Sequence, residues 1–153
     1  MFEPRKILVP TDFSKYSGSA LKAAKDMARL YHAKIYLLHV IDHEIEQCVV
    51  DWCLPDGAVR QLEEESLKSA RERLEREASE ISSSKGPEVE FSIRKGVPYD
   101  EILKEQKEKG IDLIVIASHG KSGFLGYLMG GVAQKVLGGS ETPVLLIKSR
   151  PVQ

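Results

Sequence analysis

The stretch from Gly110 to Lys148 constrains the fold of this chain more than any other. It begins with a continuous apolar run, Leu113–Ala117, and closes with a second one, Val144–Ile147. Apolar runs this short, bounded by turn-forming residues, are typical of strands buried on both faces of a parallel sheet. A glycine-rich loop and a short apolar-periodic segment, Val132–Leu137, lie between them. Strand, loop, helix and strand in this order predict a right-handed crossover unit.

Glycine is concentrated in this stretch, which holds eight of the 12 glycines in the chain. Because glycine has no Cβ and tolerates positive φ, the backbone amides of such a loop can approach an anion closely. The loop leads into the N-terminus of the predicted helix, where the helix dipole favours negative charge. We therefore predict a phosphate-sized cradle at the carboxyl end of the Leu113–Ala117 strand. Gly138 and Gly139 are expected to form the C-cap of the helix.

The rest of the chain alternates between the two kinds of element. Apolar runs predict strands at Lys6–Pro10, Ala33–Val40 and Val89–Ile93, and helical spacing predicts helices at about Ser17–Tyr31, Val59–Ile81 and Pro98–Lys109. Five strands and four helices in strict alternation predict an α/β fold: a single domain with an open parallel five-stranded sheet, helices on both faces, and a Rossmann-like arrangement. Val89–Ile93 alternates between apolar and polar residues, which predicts an edge strand.

Residues 42–57 are the least regular part of the chain and are expected to form an excursion from the sheet. Trp52 within it either packs on the domain or contacts a partner. Cys48 and Cys53 are five apart, which matches neither a metal pair nor a CxxC motif, so free thiols and a local disulfide both stay open. The charged positions of the Val59–Ile81 helix are expected to form a solvated face.

Composition excludes several classes of function. The chain of 153 residues has 22 basic and 23 acidic residues and a net charge of −1, so no basic field predicts nucleic-acid binding. No apolar run approaches the roughly 20 residues that a membrane span requires. The opening MFEPRKILVP lacks the long apolar region of a signal peptide. We expect a cytoplasmic location.

A ligand crevice is expected where the winding of the sheet reverses, at the carboxyl ends of the strands. If the first strand and the Leu113–Ala117 strand flank that reversal, Pro10, Thr11 and Asp12 face the glycine loop. Asp12 is equally well explained as the N-cap of the first helix. The Gly120-Lys121-Ser122 sequence is not a Walker A motif, because Val115 stands where its first glycine is required. No residue is predicted to be catalytic or to bind a metal.

The sequence as a whole resembles the universal stress protein family. The resemblance rests on the opening ILVPTDFS, the HV that ends the second strand, and the segment ASHGKSGFLGYLMGGVAQKVLGGSETPVLLIK. The nucleotide-binding branch of that family carries glycine, two residues, glycine, nine residues, then Gly-Ser or Gly-Thr. The spacing is intact here, but Ala117 replaces the first glycine and Gly131 replaces the hydroxyl residue. Losing a hydrogen bond to a charged group would weaken binding by about one to two decades.

The resemblance implies a binding site for ATP, AMP or ADP, with Mg²⁺ accompanying the phosphates. Asp12 would take the ribose hydroxyls, while Pro10, Thr11 and Val40 would line the base pocket. Ile116 and Ala117 would flank the nucleotide at the strand end. The phosphates would be wrapped by six residues: His119, Gly120, Lys121, Gly130, Gly131 and Val132.

The family further implies a nucleotide-dependent switch in stress response and a homodimer formed through the Pro143–Lys148 strand. Two alternatives stay open. The two departures in the glycine motif favour an interaction module of the same fold that binds an unidentified protein partner rather than nucleotide. A weak ATPase would need a metal-binding carboxylate and a water-positioning base near the γ-phosphate, and only Asp12 can be placed in the crevice.

Overall fold

The computed structural model describes residues 1–42, 55–83, 85–120 and 129–148. Five strands and four helices alternate along these residues, in chain order: β1 (Lys6–Pro10), α1 (Lys15–Tyr31), β2 (Lys34–Asp42), α2 (Asp56–Ile81), β3 (Val89–Gly96), α3 (Pro98–Lys109), β4 (Leu113–Ala117), α4 (Gly131–Gly139) and β5 (Val144–Ile147). The predicted elements are confirmed in kind and order. The ends of the predicted excursion are regular, since β2 runs to Asp42 and α2 starts at Asp56; Cys48, Trp52 and Cys53 lie outside the described residues.

The strands form one parallel sheet in the order β3-β2-β1-β4-β5. Successive elements move outward from β1 to β3, and the chain then crosses back to place β4 on the other side of β1. The winding therefore reverses between β1 and β4, as the sequence argument required. β3 lies at one edge of the sheet and is half-buried along most of its length, so the expectation of an edge strand is confirmed.

Two apolar layers enclose the sheet, because alternate residues of each strand point to opposite faces. On one face, Ile7, Val9 and Val115 pack with α1 and the second half of α2. On the other face, Leu8 and Ile114 pack with α3 and α4. Every residue of β4 is buried, which confirms that its continuous apolar run is a strand covered on both sides.

Helix boundaries follow local chemistry in α1 and α3. Ser14 is the N-cap of α1 and accepts a hydrogen bond from Ser17 N at 3.2 Å. α3 has Pro98 in its first turn and ends at Gly110, whose φ of 62° lies in the left-handed region that glycine adopts readily. The expected C-cap at Gly138 and Gly139 is wrong: both are helical, and Ser140 caps α4. A Cβ at Gly139 would lie 2.8 Å from Leu103 Cδ1, so α4 packs closely on α3 at this position.

α2 is packed on the sheet over only its second half. Ala70, Leu74, Ala78 and Ile81 are buried, whereas most of the residues from 57 to 69 are exposed. None of the helices among the described residues combines the length and the apolar character needed to cross a membrane.

Candidate functional site

The candidate site is the crevice between the carboxyl ends of β1 and β4, where the strand order reverses. Ligands of open parallel sheets bind at such a reversal because the loops on either side diverge to opposite faces and leave a gap. Pro10 ends β1 and Ala117 ends β4, so the two loops that follow them form the walls of this gap.

The turn after β1 is held in place by its own side chains. Thr11 N donates to Leu38 O at 2.8 Å and extends the pairing of β1 with β2. Phe13 N donates to Thr11 Oγ1 at 3.1 Å, and Ser14 N donates to Asp12 Oδ1 at 3.0 Å. Phe13 itself has a φ of 63°, which a bulky residue adopts only where its surroundings impose it. The turn is therefore a defined structure that aims the Asp12 carboxylate.

Asp12 is not the N-cap of α1, since Ser14 has that position. Its Oδ1 atom instead accepts from Ser14 N within the turn. Its Oδ2 atom faces the loop after β4: a Cβ built on Gly120 would lie only 2.5 Å from it. Contacts under 3.0 Å essentially never occur for real Cβ atoms, so glycine at position 120 is what lets the carboxylate and the loop backbone approach. The structure thus brings together the acidic residue and the first glycine of the cradle.

The second part of the cradle is the start of α4. Gly130 N donates to Ser118 O at 2.7 Å, and a Cβ on Gly130 would lie 3.2 Å from that same oxygen. Gly130 therefore seats the N-terminus of α4 directly against the end of β4. The first amides of α4, beginning at Gly131, have no acceptor within the helix and carry the positive end of its dipole. This is an arrangement that accepts an anion.

The two departures from the glycine motif do not obstruct the crevice. Ala117 is buried and belongs to the core layer on the α1 face of the sheet, so its methyl group packs inside the protein. A Cβ on Gly131 would meet no atom of the described part of the chain within 4 Å. The missing hydroxyl at Gly131 is therefore a lost interaction and not a sign that the space has been filled.

His119 lies between the two parts of the cradle. Its Nδ1 atom is 2.8 Å from Ser118 Oγ, and its ring lies 5.9 Å from that of Tyr16. Its Nε2 atom is buried and has no hydrogen-bond partner among the residues that the structure describes. Ser118 is itself buried.

The other site residues predicted from the sequence lie on both sides of the carboxyl end of β1. Val40 is half-buried and packs with the α3 face, as does the buried Ile116. Val132 lies in the first turn of α4 with 39% of its surface exposed. Lys121, the remaining predicted residue, lies outside the described part of the chain.

Sequence reasoning did not assign a role to three residues near the turn after β1. His39 Nδ1 lies 2.8 Å from Thr11 O, and its ring centroid is 4.5 Å from that of Phe13. Arg73 of α2 stacks on Phe13 at 5.3 Å. Glu77 of α2 is half-buried, and burial raises its pKa. Both α2 residues were assigned to a solvated face, because nothing in the local pattern distinguishes them from their charged neighbours.

A second concave region, with a volume of about 540 Å³, lies at the opposite, amino-terminal edge of the sheet. Arg5, Arg29 and Lys34 are among its lining residues. Arg5 donates to Tyr31 O at the end of α1, and Lys34 pairs with Glu88 at 2.9 Å. Arg5 and Lys34 thus have structural partners, and the carboxyl-end crevice is the better candidate site.

Metal binding by the protein alone finds no support among the described residues, since no group of three or more His, Cys, Asp or Glu side chains is arranged to hold an ion. The start of α4 suits an anionic ligand, because its first amides have no acceptor within the helix and lie at the positive end of its dipole. Such a ligand could bring Mg²⁺ with it, since this ion is commonly held by one or two carboxylates together with phosphates.

Fold and crevice together define the class of the protein: an open, doubly wound α/β protein with a crevice at its switch point. The family model described as the universal stress protein family matches residues 3–148. The chain therefore belongs to the universal stress protein family, and the resemblance found in the sequence is confirmed.

Relatives of known name agree with this assignment. The chain is 33% identical over 159 residues to universal stress protein MJ0577 of Methanocaldococcus jannaschii, covering 95% of this chain and 96% of that one. It is 34% identical over 146 residues to universal stress protein YxiE of Bacillus subtilis, covering 94% and 98%.

Solved structures confirm the fold. That of MJ0577 has a TM-score of 0.84 at 32% identity and covers 99% of this chain and 100% of that one. A universal stress protein from Archaeoglobus fulgidus, solved in complex with dAMP, has a TM-score of 0.65 at 25% identity, covering 96% and 100%.

Proposed function

We propose that this stress-response family protein binds an adenine nucleotide, ATP or its mono- or diphosphate, and acts as a nucleotide-dependent regulator. The observation that carries the proposal is the approach of Asp12 to Gly120, directly beside the N-terminus of α4. A carboxylate can accept hydrogen bonds from the two hydroxyls of a ribose, and a helix N-terminus can accept a phosphate. Together they match the ribose and the phosphate of a nucleotide. The dAMP complex of the Archaeoglobus fulgidus relative supports an adenine base.

In this proposal each part of the crevice has one task. Asp12 accepts hydrogen bonds from the ribose hydroxyls. Gly120, Gly130 and the first amides of α4 surround the phosphates, with His119 beside them and Mg²⁺ bound through the phosphate oxygens. Pro10, Thr11 and Val40 border the base, and Ile116, Ala117 and Val132 complete the wall.

We favour this proposal over the interaction module, because Ala117 packs in the core and no described residue would meet a Cβ on Gly131 within 4 Å. Regulation through a bound nucleotide therefore accounts for the crevice better than an empty site of the same fold.

Calorimetric titration of the nucleotide-stripped protein with MgATP, MgGTP and AMP tests the proposal. We expect saturable binding that favours adenine. Gly131→Asp should abolish it, because a carboxylate would enter the open space where phosphate is proposed, without steric conflict in the free protein. Gly131→Ser should strengthen binding about tenfold or more by restoring a hydroxyl donor. Gly138→Ala, also in open space but at the other end of α4, is the matched control.

No heat of binding at millimolar MgATP, in both the wild type and the Gly131→Ser variant, would refute the proposal. Binding that Gly131→Asp leaves intact would show that the ligand occupies another place.

We further propose a homodimer that pairs through β5. This strand is the edge of the sheet opposite β3, and Leu145 on it is 36% exposed. An exposed apolar edge strand invites pairing with a second copy. Leu145→Lys should convert the dimer to a monomer in sedimentation experiments, and a wild-type protein that sediments as a monomer would contradict the proposal.

A further inference from the structure

His39, a half-buried residue of β2, contacts the turn after β1 in two places. Its Nδ1 atom lies 2.8 Å from Thr11 O, and its ring centroid lies 4.5 Å from that of Phe13. Thr11 and Phe13 are the two neighbours of Asp12 in the chain. We propose that His39 is a positioning residue for the proposed nucleotide site: it holds the turn on both sides of Asp12 and so fixes the carboxylate opposite Gly120.

The hydrogen bond to Thr11 defines the tautomer of the His39 ring. A backbone carbonyl has no proton to donate, so the imidazole is the donor and its Nδ1 atom carries the hydrogen. Thr11 is only 6% exposed, so water cannot readily replace this donor. Because a buried carbonyl that loses its partner is costly, the bond is an effective constraint on the backbone of the turn.

β2 binds the Thr11 backbone through both of its polar groups. Thr11 N donates to Leu38 O at 2.8 Å, and Thr11 O accepts from the next residue of β2, His39. The first bond continues the pairing of β1 with β2 by one residue beyond Pro10. The second bond is made by a side chain, at the point where β1 has ended and the chain enters the turn. His39 therefore fixes the direction in which the chain leaves the sheet.

The second contact supports a residue in an unfavourable conformation. Phe13 has a φ of 63°, which a bulky side chain adopts only where its surroundings impose it. Its ring packs on that of His39 at a tilt of 33°, and the Arg73 guanidinium lies 5.3 Å from the same ring. Phe13 N also donates to Thr11 Oγ1 at 3.1 Å, so the two contacts of His39 act on one connected unit.

The tautomer of His39 can be measured without any ligand. Ring ¹⁵N chemical shifts of the nucleotide-free wild type, recorded at mildly alkaline pH, distinguish a protonated from an unprotonated Nδ1 atom. We expect the Nδ1–H form for His39. His32 is exposed and should show the Nε2–H form that an imidazole prefers in water, so it serves as the control in the same spectrum. A neutral His39 ring that is protonated at Nε2 overturns the inference.

Two substitutions separate the hydrogen bond of His39 from its ring. His39→Asn places an amide nitrogen close to the position of Nδ1 without a ring, whereas His39→Phe keeps an aromatic ring without a donor. The Phe13 and Ser14 amides both donate within the turn, so their protection against hydrogen exchange reports its integrity.

His39→Phe should lower this protection about 5-fold or more, because the Thr11 carbonyl loses its partner. His39→Asn should lower it less than about 3-fold, through the lost ring contact alone. A merely space-filling role predicts the opposite order, with His39→Phe closer to the wild type, and that order overturns the inference. His32→Asn is the matched control and should equal the wild type, since asparagine tolerates the φ of 53° at that position.

The consequence for binding rests on the proposed function. The affinity for MgATP should fall about 5-fold or more in His39→Phe and stay within about 3-fold of the wild type in His39→Asn. A turn that loosens in His39→Phe without any loss of affinity overturns the positioning role. A wild type that binds no nucleotide overturns the proposed function instead, and the tautomer and the amide protection still decide whether His39 holds the turn. If His39→Phe does not fold, the wild-type tautomer and the protection in His39→Asn decide in the same way.

Discussion

The variant Gly120→Ala should change nucleotide affinity much more than it changes the stability of the fold. The added Cβ would lie 2.5 Å from Asp12 Oδ2, whereas real Cβ contacts stay above 3.0 Å, so the carboxylate must move by at least about 0.5 Å. Gly120 is not among the described glycines with positive φ, so the backbone itself tolerates alanine. Among the described residues, the strain is therefore confined to the contact with Asp12.

The two energetic consequences differ in size. Displacing Asp12 loosens its bond to Ser14 N, which costs about 0.5–1.5 kcal/mol of stability. Replacing glycine restricts the unfolded chain and returns about 0.4–1 kcal/mol. The free energy of unfolding should thus change by less than about 1 kcal/mol. Binding of the ribose depends on the position of the charged carboxylate, which is worth about 1.5–3 kcal/mol, so MgATP affinity should fall about 10- to 100-fold.

Titration calorimetry with MgATP and urea unfolding of the same samples measure the two quantities. A double-mutant cycle with Asp12→Ala adds a sharper test. In the Asp12→Ala background the carboxylate is gone, so Gly120→Ala should have no further effect on affinity. Full wild-type affinity in Gly120→Ala, or strictly additive losses in the double variant, would refute the claim that Gly120 acts through Asp12.

Three further predictions concern the scaffold. Arg94→Met should lower the free energy of unfolding in urea by about 2–3 kcal/mol, because Glu105 is only 3% exposed and loses its ion pair with Arg94 at 2.9 Å. As the control, Lys95→Met removes an exposed ion pair with Glu63 and should cost under about 1 kcal/mol. The Arg94 guanidinium lowers the pKa of Glu101, so the stabilisation by this ion pair is present above the ordinary pKa of 4.5 and is lost as pH falls below it. Glu101→Gln should therefore flatten the decrease in stability at acid pH, and an unchanged decrease would contradict this. Gly110→Ala should cost about 1 kcal/mol because φ is 62°, and a neutral result in thermal unfolding would count against a strained cap.

The fold could be predicted from the sequence because its signals are local and repeated. A continuous apolar run such as Leu113–Ala117 indicates a buried strand, and the alternation of apolar and polar residues in Val89–Ile93 indicates the edge strand. Both ends of helix α3 are marked in the sequence, its start by Pro98 and its end by Gly110. Each signal depends only on residues adjacent in the chain, and all of them agree.

The site could be predicted only in part, for a physical reason. Strand ends place Asp12 and the glycine loop at the same edge of the sheet, so their meeting follows from topology. The contact of Arg73 with Phe13 does not follow, because Arg73 lies on a helix more than 50 residues away in the chain. Which charged residue of α2 points inward depends on the tilt of that helix on the sheet, and its sequence of alternating charges leaves the tilt open. Capping by Ser14 instead of Asp12 was likewise decided by the turn geometry at Phe13.

Chemical-shift mapping with MgATP tests the location of the binding site most directly. Stepwise addition to the nucleotide-free, isotope-labelled protein should shift the amides of 11–14, 118–120 and 130–133 in a saturable way. The amides of Arg5, Arg29 and Lys34, around the concave region at the opposite edge, should stay unchanged. Shifts concentrated at that opposite edge, or none at millimolar MgATP, would contradict a nucleotide site between Asp12 and the N-terminus of α4.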